Sequence, residues 1–298
     1  MPRYAVRHDT TYRYSALVAQ SHHELHLAPL PVPHQSVLRH DLQITPKPAW
    51  IENGIDYFGN PTSWLAIEKD HRELTIQSIA DIVVVERAAP DMTGGVPWER
   101  VADRTAPDMS PGIREFACSS GHVRPSQAVK AYAEPSMKAG ASVLAVAADL
   151  MARIHAEFKF DNTTTDVATP VEKVLEQRSG VCQDFAHLMI SALRSFNLPV
   201  RYVSGYILTH PPPGREKLFG TDASHAWVTV WSPEAGWVDF DPTNKLVNSH
   251  ELITIAIGRD FGDVSPISGV LLGGGAHSVS VSVDVRPAEP ITPTARRP

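Results

Sequence analysis

Alternating apolar and polar positions dominate the N-terminal part of the chain. Between turn signals such as Phe58-Gly59-Asn60-Pro61, apolar side chains recur at every second position, which is the period of a strand with one buried face. The pattern predicts strands at 3–8, 22–27, 38–45, 51–57, 61–67 and 74–86. We therefore expect an N-terminal β domain over residues 1–95, with a β-sandwich-like arrangement.

The apolar period changes to that of a helix further along the chain. Apolar residues at helical spacing predict one helix over 142–158 and a second over 180–196, which Asn197-Leu198-Pro199 ends. The pattern then returns to strands, at 200–208, 225–231, 236–240 and 277–285. Helices followed by strands are typical of an α+β domain.

These patterns divide the chain into four parts. After the N-terminal domain, residues 96–140 are interpreted as a linker with the first helices, because Pro and Gly interrupt the pattern there. Residues 141–286 form the α+β core, which includes the C-terminal strand. The Pro-rich residues 287–298 form a loose tail.

Composition excludes several classes of partner. A net charge of −6, without a block of Lys or Arg, gives no electrostatic basis for binding nucleic acid. No apolar run approaches the roughly 20 residues of a membrane-spanning helix. The first residues lack the apolar stretch of a signal peptide, so we expect a cytoplasmic protein. The 2 cysteines are then free thiols.

Cys182 lies at the start of the second predicted helix. If Ser179 is the N-cap, Cys182 occupies the third helical position, where the helix dipole favours a thiolate. Its backbone N–H has no partner within the helix and can face a developing oxyanion. Gly180 leaves a substrate carbonyl room to approach. The other cysteine, Cys118, has no comparable surroundings in the sequence.

A histidine and an aspartate follow on two predicted neighbouring strands. If residues 232–236 form the hairpin loop, Trp227 pairs with Asp241, and His225 becomes the diagonal neighbour of Asp241 on the same sheet face. Asp239 lies one pair further away, so the register favours Asp241. An imidazole can take the thiol proton, and a carboxylate on its second nitrogen fixes the tautomer.

These motifs resemble the core of the transglutaminase-like superfamily. The matching runs are Gly180-Val181-Cys182-Gln183-Asp184-Phe185-Ala186, Leu198-Pro199-Val200-Arg201-Tyr202, His225-Ala226-Trp227-Val228 and Trp237-Val238-Asp239-Phe240-Asp241-Pro242-Thr243. Two further runs, His8-Asp9-Thr10-Thr11-Tyr12 and Asp56-Tyr57-Phe58-Gly59-Asn60, resemble the N-terminal β domain of bacterial members. The resemblance implies a papain-like fold and a triad of Cys182, His225 and Asp241.

The resemblance also implies the class of reaction. Bacterial proteins of this architecture resemble cysteine proteases or amidases, which form an acyl-enzyme on the thiol and need no cofactor or metal. The substrate is then a peptide, a protein or a small amide, and Gln183, Trp227 and Arg259 are candidates to contact it. Transfer of a glutamine acyl group to an amine is one alternative, and a non-catalytic binding module on the same fold is another.

A histidine-based metal hydrolase is a third alternative. His22, Glu24 and His26 alternate along a predicted strand and would share one face. The polar outer face of a β domain explains the same alternation. Measuring bound metal separates the two interpretations.

Overall fold

One antiparallel sheet contains the N-terminal strands. The computed structural model describes residues 1–103, 109–209 and 224–288. The strands are β1 Arg3–Leu25, β2 Gln35–Thr45, β3 Trp50–Ile55, β4 Pro61–Ile67 and β5 His71–Val84. They lie in the order β2-β5-β1-β4-β3, which confirms the predicted sheet-rich N-terminal region.

β1 is longer than its apolar pattern predicted. It runs for 23 residues, where alternation predicted two separate strands at 3–8 and 22–27. Between them the alternation breaks, because the buried positions are even-numbered up to Val18 and odd-numbered from Ser21. Some of the buried side chains on this strand are also polar. His8 Nδ1 lies 2.7 Å from the hydroxyl of Tyr206, and His8 Nε2 lies 3.0 Å from Oγ1 of Thr10. Because these buried groups are hydrogen-bonded, the strand continues through positions that an apolar pattern does not mark.

Helices follow the N-terminal sheet. They are α1 Trp98–Val101, α2 Pro111–Arg114, α3 Gln127–Ala133, α4 Val143–Glu157, α5 Val171–Gln177 and α6 Cys182–Arg194. The two long predicted helices are confirmed as α4 and α6. Side chains of α6 are buried from Asp184 to Arg194, because α3, α4 and α5 pack around it. α6 is therefore the central helix of the core.

A second antiparallel sheet packs against α4 and α6. Its strands are β8 Val200–Ile207, β9 Ser224–Ser232, β10 Gly236–Asp241, β11 Leu246–Val247 and β12 Leu252–Gly258, in the order β11-β10-β9-β8-β12. Before α6, the short strands β6 Lys159–Phe160 and β7 Ser179–Gly180 pair in parallel. Val228, Val230, Val238 and Phe240 turn one face of the core sheet toward the helices, in a shared apolar cluster.

The two C-terminal strands belong to the N-terminal sheet. β13 Ile267–Gly273 pairs with the second half of β1, and β14 His277–Ala288 pairs with its first half. The assignment of the C-terminal strand to the α+β core was therefore wrong. Alternating Val and Ser identify a strand but not its partner, and Val283 and Val285 of β14 are buried beside Val6. β14 also takes up the first residues of the predicted tail, whose residues from 289 onward lie outside the described part.

Three glycines join β13 to β14. Gly273, Gly274 and Gly275 have φ angles of +98°, +81° and +63°, which side chains other than glycine rarely adopt. A Cβ at Gly273 would also lie 2.4 Å from the carbonyl oxygen of Leu17. The run is a tight turn against β1.

Two buried amides connect the N-terminal sheet to the edge strand β12. Gln35 donates to the carbonyl of Thr254 over 2.7 Å and accepts from its N–H over 2.9 Å. Asn60 makes the same pair of bonds with Ile257, at 2.7 and 2.8 Å. An edge strand has unpaired backbone groups on one side. The two amides satisfy such groups on β12 and fix the N-terminal sheet to the core.

Candidate active site

Cys182 is the first residue of α6. The N-cap is Val181, and the carboxylate of Asp184 accepts a hydrogen bond from the Val181 N–H over 2.8 Å. Thr165 donates to the same carboxylate oxygen over 2.7 Å. The prediction of Ser179 as N-cap, with Cys182 at the third position, was wrong, because Asp184 closes the turn around Val181 instead.

The backbone of Cys182 keeps the property that the sequence predicted. At the first helical position, its N–H still lacks a partner within the helix and lies at the positive end of the helix dipole. The thiol is half-buried. Gly180 is needed for the cap itself, because a Cβ there would lie 2.6 Å from Oδ2 of Asp184.

The hairpin of β9 and β10 has the predicted register. Trp231 pairs with Trp237, and Thr229 pairs with Asp239. Nε2 of His225 lies 2.8 Å from Oδ2 of Asp241, and both side chains are buried. The structure therefore brings together the histidine and the aspartate that the register selected.

Besides His225, two residues of the following turn bind the carboxylate of Asp241. Its Oδ1 accepts from the backbone N–H of Thr243 at 2.9 Å and of Asn244 at 3.2 Å, and its Oδ2 accepts from the side-chain amide of Asn244 at 2.8 Å. Burial raises the pKa of Asp241, but the hydrogen bonds from His225 and Asn244 outweigh it and hold that pKa below its usual range. Sequence reasoning missed Asn244. The turn residues Asp-Pro-Thr-Asn after β10 were the available signal.

The thiol of Cys182 acts on the imidazole of His225, since a hydrogen bond with Cys182 and its charge are among the causes that raise the pKa of His225. Asp241 occupies Nε2 of that ring, which leaves Nδ1 for the thiol. Burial lowers the pKa of His225, but the hydrogen bonds with Asp241 and Cys182 outweigh it, and the net effect raises that pKa to about 10. A base of this kind can hold the thiol proton while Asp241 stabilises the resulting imidazolium.

Asp239, the competing acid, is engaged elsewhere. Its carboxylate forms an ion pair with Arg87, and its backbone N–H donates to Oδ1 of Asn248 over 3.0 Å. Asp239 thus contributes to the contact between the core sheet and the segment that follows β5. The register argument correctly separated the two aspartates.

The three residues predicted to contact substrate have different surroundings in the structure. Trp227 is completely buried and stacks beside His225, with ring centroids 6.0 Å apart, so it supports the imidazole and has no surface for substrate. That prediction was wrong, because the indole is buried in one apolar cluster with Val203 and Leu252. The two donor nitrogens of Arg259 bind the carboxylate of Asp263 at 2.9 Å each, an ion pair within one segment.

Gln183 stays next to the thiol by sequence, at the second position of α6. Its side-chain amide points toward the carbonyl of Val167, 3.4 Å away. Contact between Gln183 and a substrate remains a prediction.

The side chains of the alternative metal site bind other protein groups. Glu24 accepts from the indole of Trp64 over 3.2 Å. His26 lies beyond the end of β1 and contacts Asp56 and the carbonyl of Ser265. Among the described residues, no three His, Cys, Asp or Glu side chains are grouped closely enough to hold a metal ion. Cys118 and Cys182 are free thiols, as the sequence predicted.

Family models match both parts of the chain. The bacterial transglutaminase-like N-terminal region matches residues 4–83, and the transglutaminase-like superfamily core matches residues 130–242. The core match contains Cys182, His225 and Asp241. The transition between the two matches lies in the segment of short helices that the sequence marked as a connection.

One relative matches this chain along nearly its whole length, and another matches only part of it. The uncharacterized protein Rv2569c of Mycobacterium tuberculosis (strain H37Rv) is 38% identical over 296 residues, which covers 96% of this chain and 93% of the relative. A protein-glutamine gamma-glutamyltransferase of Pseudomonas aeruginosa is 35% identical over 122 residues, which covers 39% of this chain and 18% of the relative.

A solved structure supports the fold. The crystal structure of "a Putative Cysteine Protease from Cytophaga hutchinsonii" superimposes with a TM-score of 0.76 and 20% identity, covering 98% of this chain and 92% of the other. In the ranges that the structure describes, the helices are too short or too polar to span a bilayer. The two family matches show that the chain belongs to the transglutaminase-like superfamily and carries the bacterial N-terminal region of that superfamily.

Proposed function

We propose that this protein is a thiol-dependent amide hydrolase, a cysteine peptidase or amidase, that acts through a triad of Cys182, His225 and Asp241. The proposal rests on the 2.8 Å contact between His225 and Asp241 and on the effect of Cys182 on the pKa of His225. A buried imidazole whose pKa is raised by both neighbours suits a thiolate–imidazolium pair. The substrate is a peptide, a protein or a small amide.

The reaction follows from the positions of these groups. His225 takes the thiol proton, and the sulfur of Cys182 attacks the carbonyl carbon of the amide. The backbone N–H of Cys182 donates to the oxygen that becomes negatively charged. The C–N bond then breaks, and His225 returns the proton to the departing amine. Water, deprotonated by His225, attacks the thioester, which releases the acid and restores the thiol.

Alkylation of Cys182 by iodoacetamide across pH 4–10 tests the triad. If the pair exists, the thiol reacts below the pH at which a free cysteine ionises, and His225→Ala slows the reaction at pH 6 by at least about tenfold. Cys182→Ala should block labelling at this site, whereas Cys118→Ala should leave it intact. An unchanged pH profile in His225→Ala would overturn the proposal.

Transfer to an amine is the second candidate, and the matched segment of the Pseudomonas glutamyltransferase favours it. An amine in place of water would attack the same thioester. A glutamine-containing peptide and a labelled primary amine distinguish the two outcomes, since transfer gives labelled peptide and hydrolysis gives glutamate. If the Cys182→Ala protein keeps the full biological activity of the wild type in the cell, the protein is a non-catalytic binding module instead. The cytoplasmic location stays a prediction, which cell fractionation can test.

A further inference from the structure

A cavity of about 500 Å³ lies between the core sheet and the segments that border the N-terminal sheet. Its lining contains none of the three triad residues. The core sheet contributes Arg201, Thr229, Trp237 and Asp239, and the N-terminal side contributes His34 and Arg87. Thr229 lies four positions after His225 along β9, which is roughly 13 Å in an extended strand. The cavity therefore lies on the same strands as the triad, but away from it.

Arg201 is the unusual group in this cavity. Its guanidinium stacks on Trp237, with its central carbon 3.7 Å from the ring centroid, and lies 4.7 Å from the ring centroid of Phe116. Among the described residues it has no hydrogen bond or ion pair, and its buried Nε has no partner. Burial lowers the pKa of Arg201 to about 10, although Glu115 attracts its charge from a distance. At neutral pH the group is therefore a half-buried cation that no carboxylate of the described residues contacts.

The other charges around the cavity compensate each other. Arg87 and Asp239 form an ion pair and together contribute no net charge. Burial, followed by the charge of Arg87, lowers the pKa of His34, so its imidazole is a neutral donor and acceptor. Nε2 of His34 and Oγ1 of Thr229 are buried and lack hydrogen-bond partners. Among the residues that line the cavity, Arg201 thus carries the one charge that is not in an ion pair.

The remaining lining is largely apolar. It includes Val32, Val85, Val203 and Ile257. A pocket with an apolar wall and a few polar groups binds ligands whose polar end fixes their orientation. The planar fork of an arginine matches the two oxygens of a carboxylate, and one net positive charge matches one carboxylate better than a phosphate of higher charge.

We propose that this cavity binds a small carboxylate with an apolar body, with the carboxylate on Arg201 and the body against Val85 and Ile257. The ligand is either a free organic acid or the C-terminal end of a peptide. Both present the same group. The proposal is independent of the function proposed for the triad.

Titration calorimetry on the full chain tests the proposal with four probes. These are 3-phenylpropionate, its amide, N-acetyl-Ala-Phe and its C-terminal amide. Both acids, or one of them, should bind, and each matching amide should bind at least about tenfold more weakly, because it lacks the charge that Arg201 recognises. Binding of only one acid identifies the source of the carboxylate. Equal binding of an acid and its amide, or no binding of either acid, overturns the proposal.

Variants locate the site. Arg201→Gln should weaken acid binding at least about tenfold, and Arg201→Lys should weaken it less, because an ammonium keeps the charge but loses the fork. Asp239→Asn should strengthen binding, since it removes a negative charge beside the ligand. Arg13→Gln, at an exposed ion pair with Glu73, is the matched control and should bind as the wild type. Circular dichroism establishes that each variant is folded.

Alkylation of the triad cysteine tests whether the cavity binds ligand independently of the triad. Alkylation of Cys182 should leave the affinity for the acids unchanged, because the cavity does not include the thiol. Loss of binding after alkylation, or an Arg201→Gln affinity within twofold of wild type, would place the ligand elsewhere and overturn the proposal.

Discussion

The side-chain amide of Asn244 donates to Oδ2 of Asp241 over 2.8 Å, the same oxygen that lies 2.8 Å from the imidazole of His225. The backbone N–H of Asn244 donates to the other oxygen of this carboxylate. One turn residue thus contacts both oxygens. Because the carboxylate cannot rotate freely, the imidazole it binds has one preferred orientation.

Asn244→Ala should therefore slow the proposed reaction without removing a triad residue. Loss of one hydrogen bond to a charged group costs about 1.5–3 kcal/mol, which corresponds to a decrease of about tenfold or more in Cys182 alkylation at pH 6. The rate of iodoacetamide labelling measures the effect. Asn53→Ala makes the same truncation in the N-terminal sheet, and its Cys182 should be labelled at the wild-type rate. Wild-type labelling in Asn244→Ala would show that Asp241 is held adequately without the amide.

Asp241→Asn should change the pH at which Cys182 reacts. Burial lowers the pKa of His225, whereas the hydrogen bond and charge of Asp241 raise it. Without that charge the pKa of His225 falls, so the imidazole no longer holds the thiol proton in mildly acidic solution. The alkylation rate should then rise only as the thiol itself ionises, near the usual pKa of about 8.5. A pH profile that overlays the wild type would contradict a role of Asp241 in the pair.

The pairing of His225 with Asp241 could be predicted because a hairpin fixes its own register. Once Pro233 and Gly236 limit the loop, every cross-strand neighbour in β9 and β10 follows. The start of α6 could not be placed as well, since Ser179 and Asp184 both suit a helix N-terminus in sequence. In the structure, Asp184 binds the Val181 N–H, while Ser179 lies in β7. Competition between two capping groups is decided by tertiary contacts, here by Thr165.

Long-range pairing was the least predictable part of the fold. Alternating apolar positions predict both β14 and β1 as strands, but they do not indicate that the two strands pair with each other. The continuity of β1 was missed for a different reason: its buried positions are even-numbered up to Val18 and odd-numbered from Ser21, with a register shift between them, so no single alternation runs through the strand. Likewise, alternation cannot distinguish an indole that contacts substrate from one that packs under a histidine, as Trp227 does.

His187 should make the protein sensitive to acid. It is buried in α6, and its Nε2 accepts a hydrogen bond from the N–H of Phe261 over 3.1 Å, which requires an unprotonated nitrogen. Burial lowers its pKa to about 3. Between the unfolded value of about 6.5 and this folded value, the unfolded state binds the extra proton. The free energy of unfolding therefore falls as pH decreases from 6.5 toward 3, with a slope of up to about 1.4 kcal/mol per pH unit from this group.

Urea denaturation of wild type and His187→Gln at several pH values between 3 and 7 measures this contribution. The variant is less stable at pH 7, because it loses the buried contact, but the difference from wild type should shrink as pH decreases. His277→Gln, at an exposed position on β14, is the control for the substitution itself. A difference that stays constant with pH would show that His187 is protonated equally in both states.

Arg194 should be among the most important residues for stability, although it is far from any reaction step. It is almost completely buried, and its guanidinium donates to the carbonyls of Phe116, Val200 and Arg259 at 2.8 Å each. Replacement by Met fills the space but leaves three buried carbonyls without donors. We expect Arg194→Met to lower the free energy of unfolding by at least about 3 kcal/mol. Arg13→Met, at an exposed ion pair, should change it by less than about 0.5 kcal/mol. Urea denaturation compares the two, and a loss below about 1 kcal/mol in Arg194→Met would mean that water replaces the guanidinium at these carbonyls.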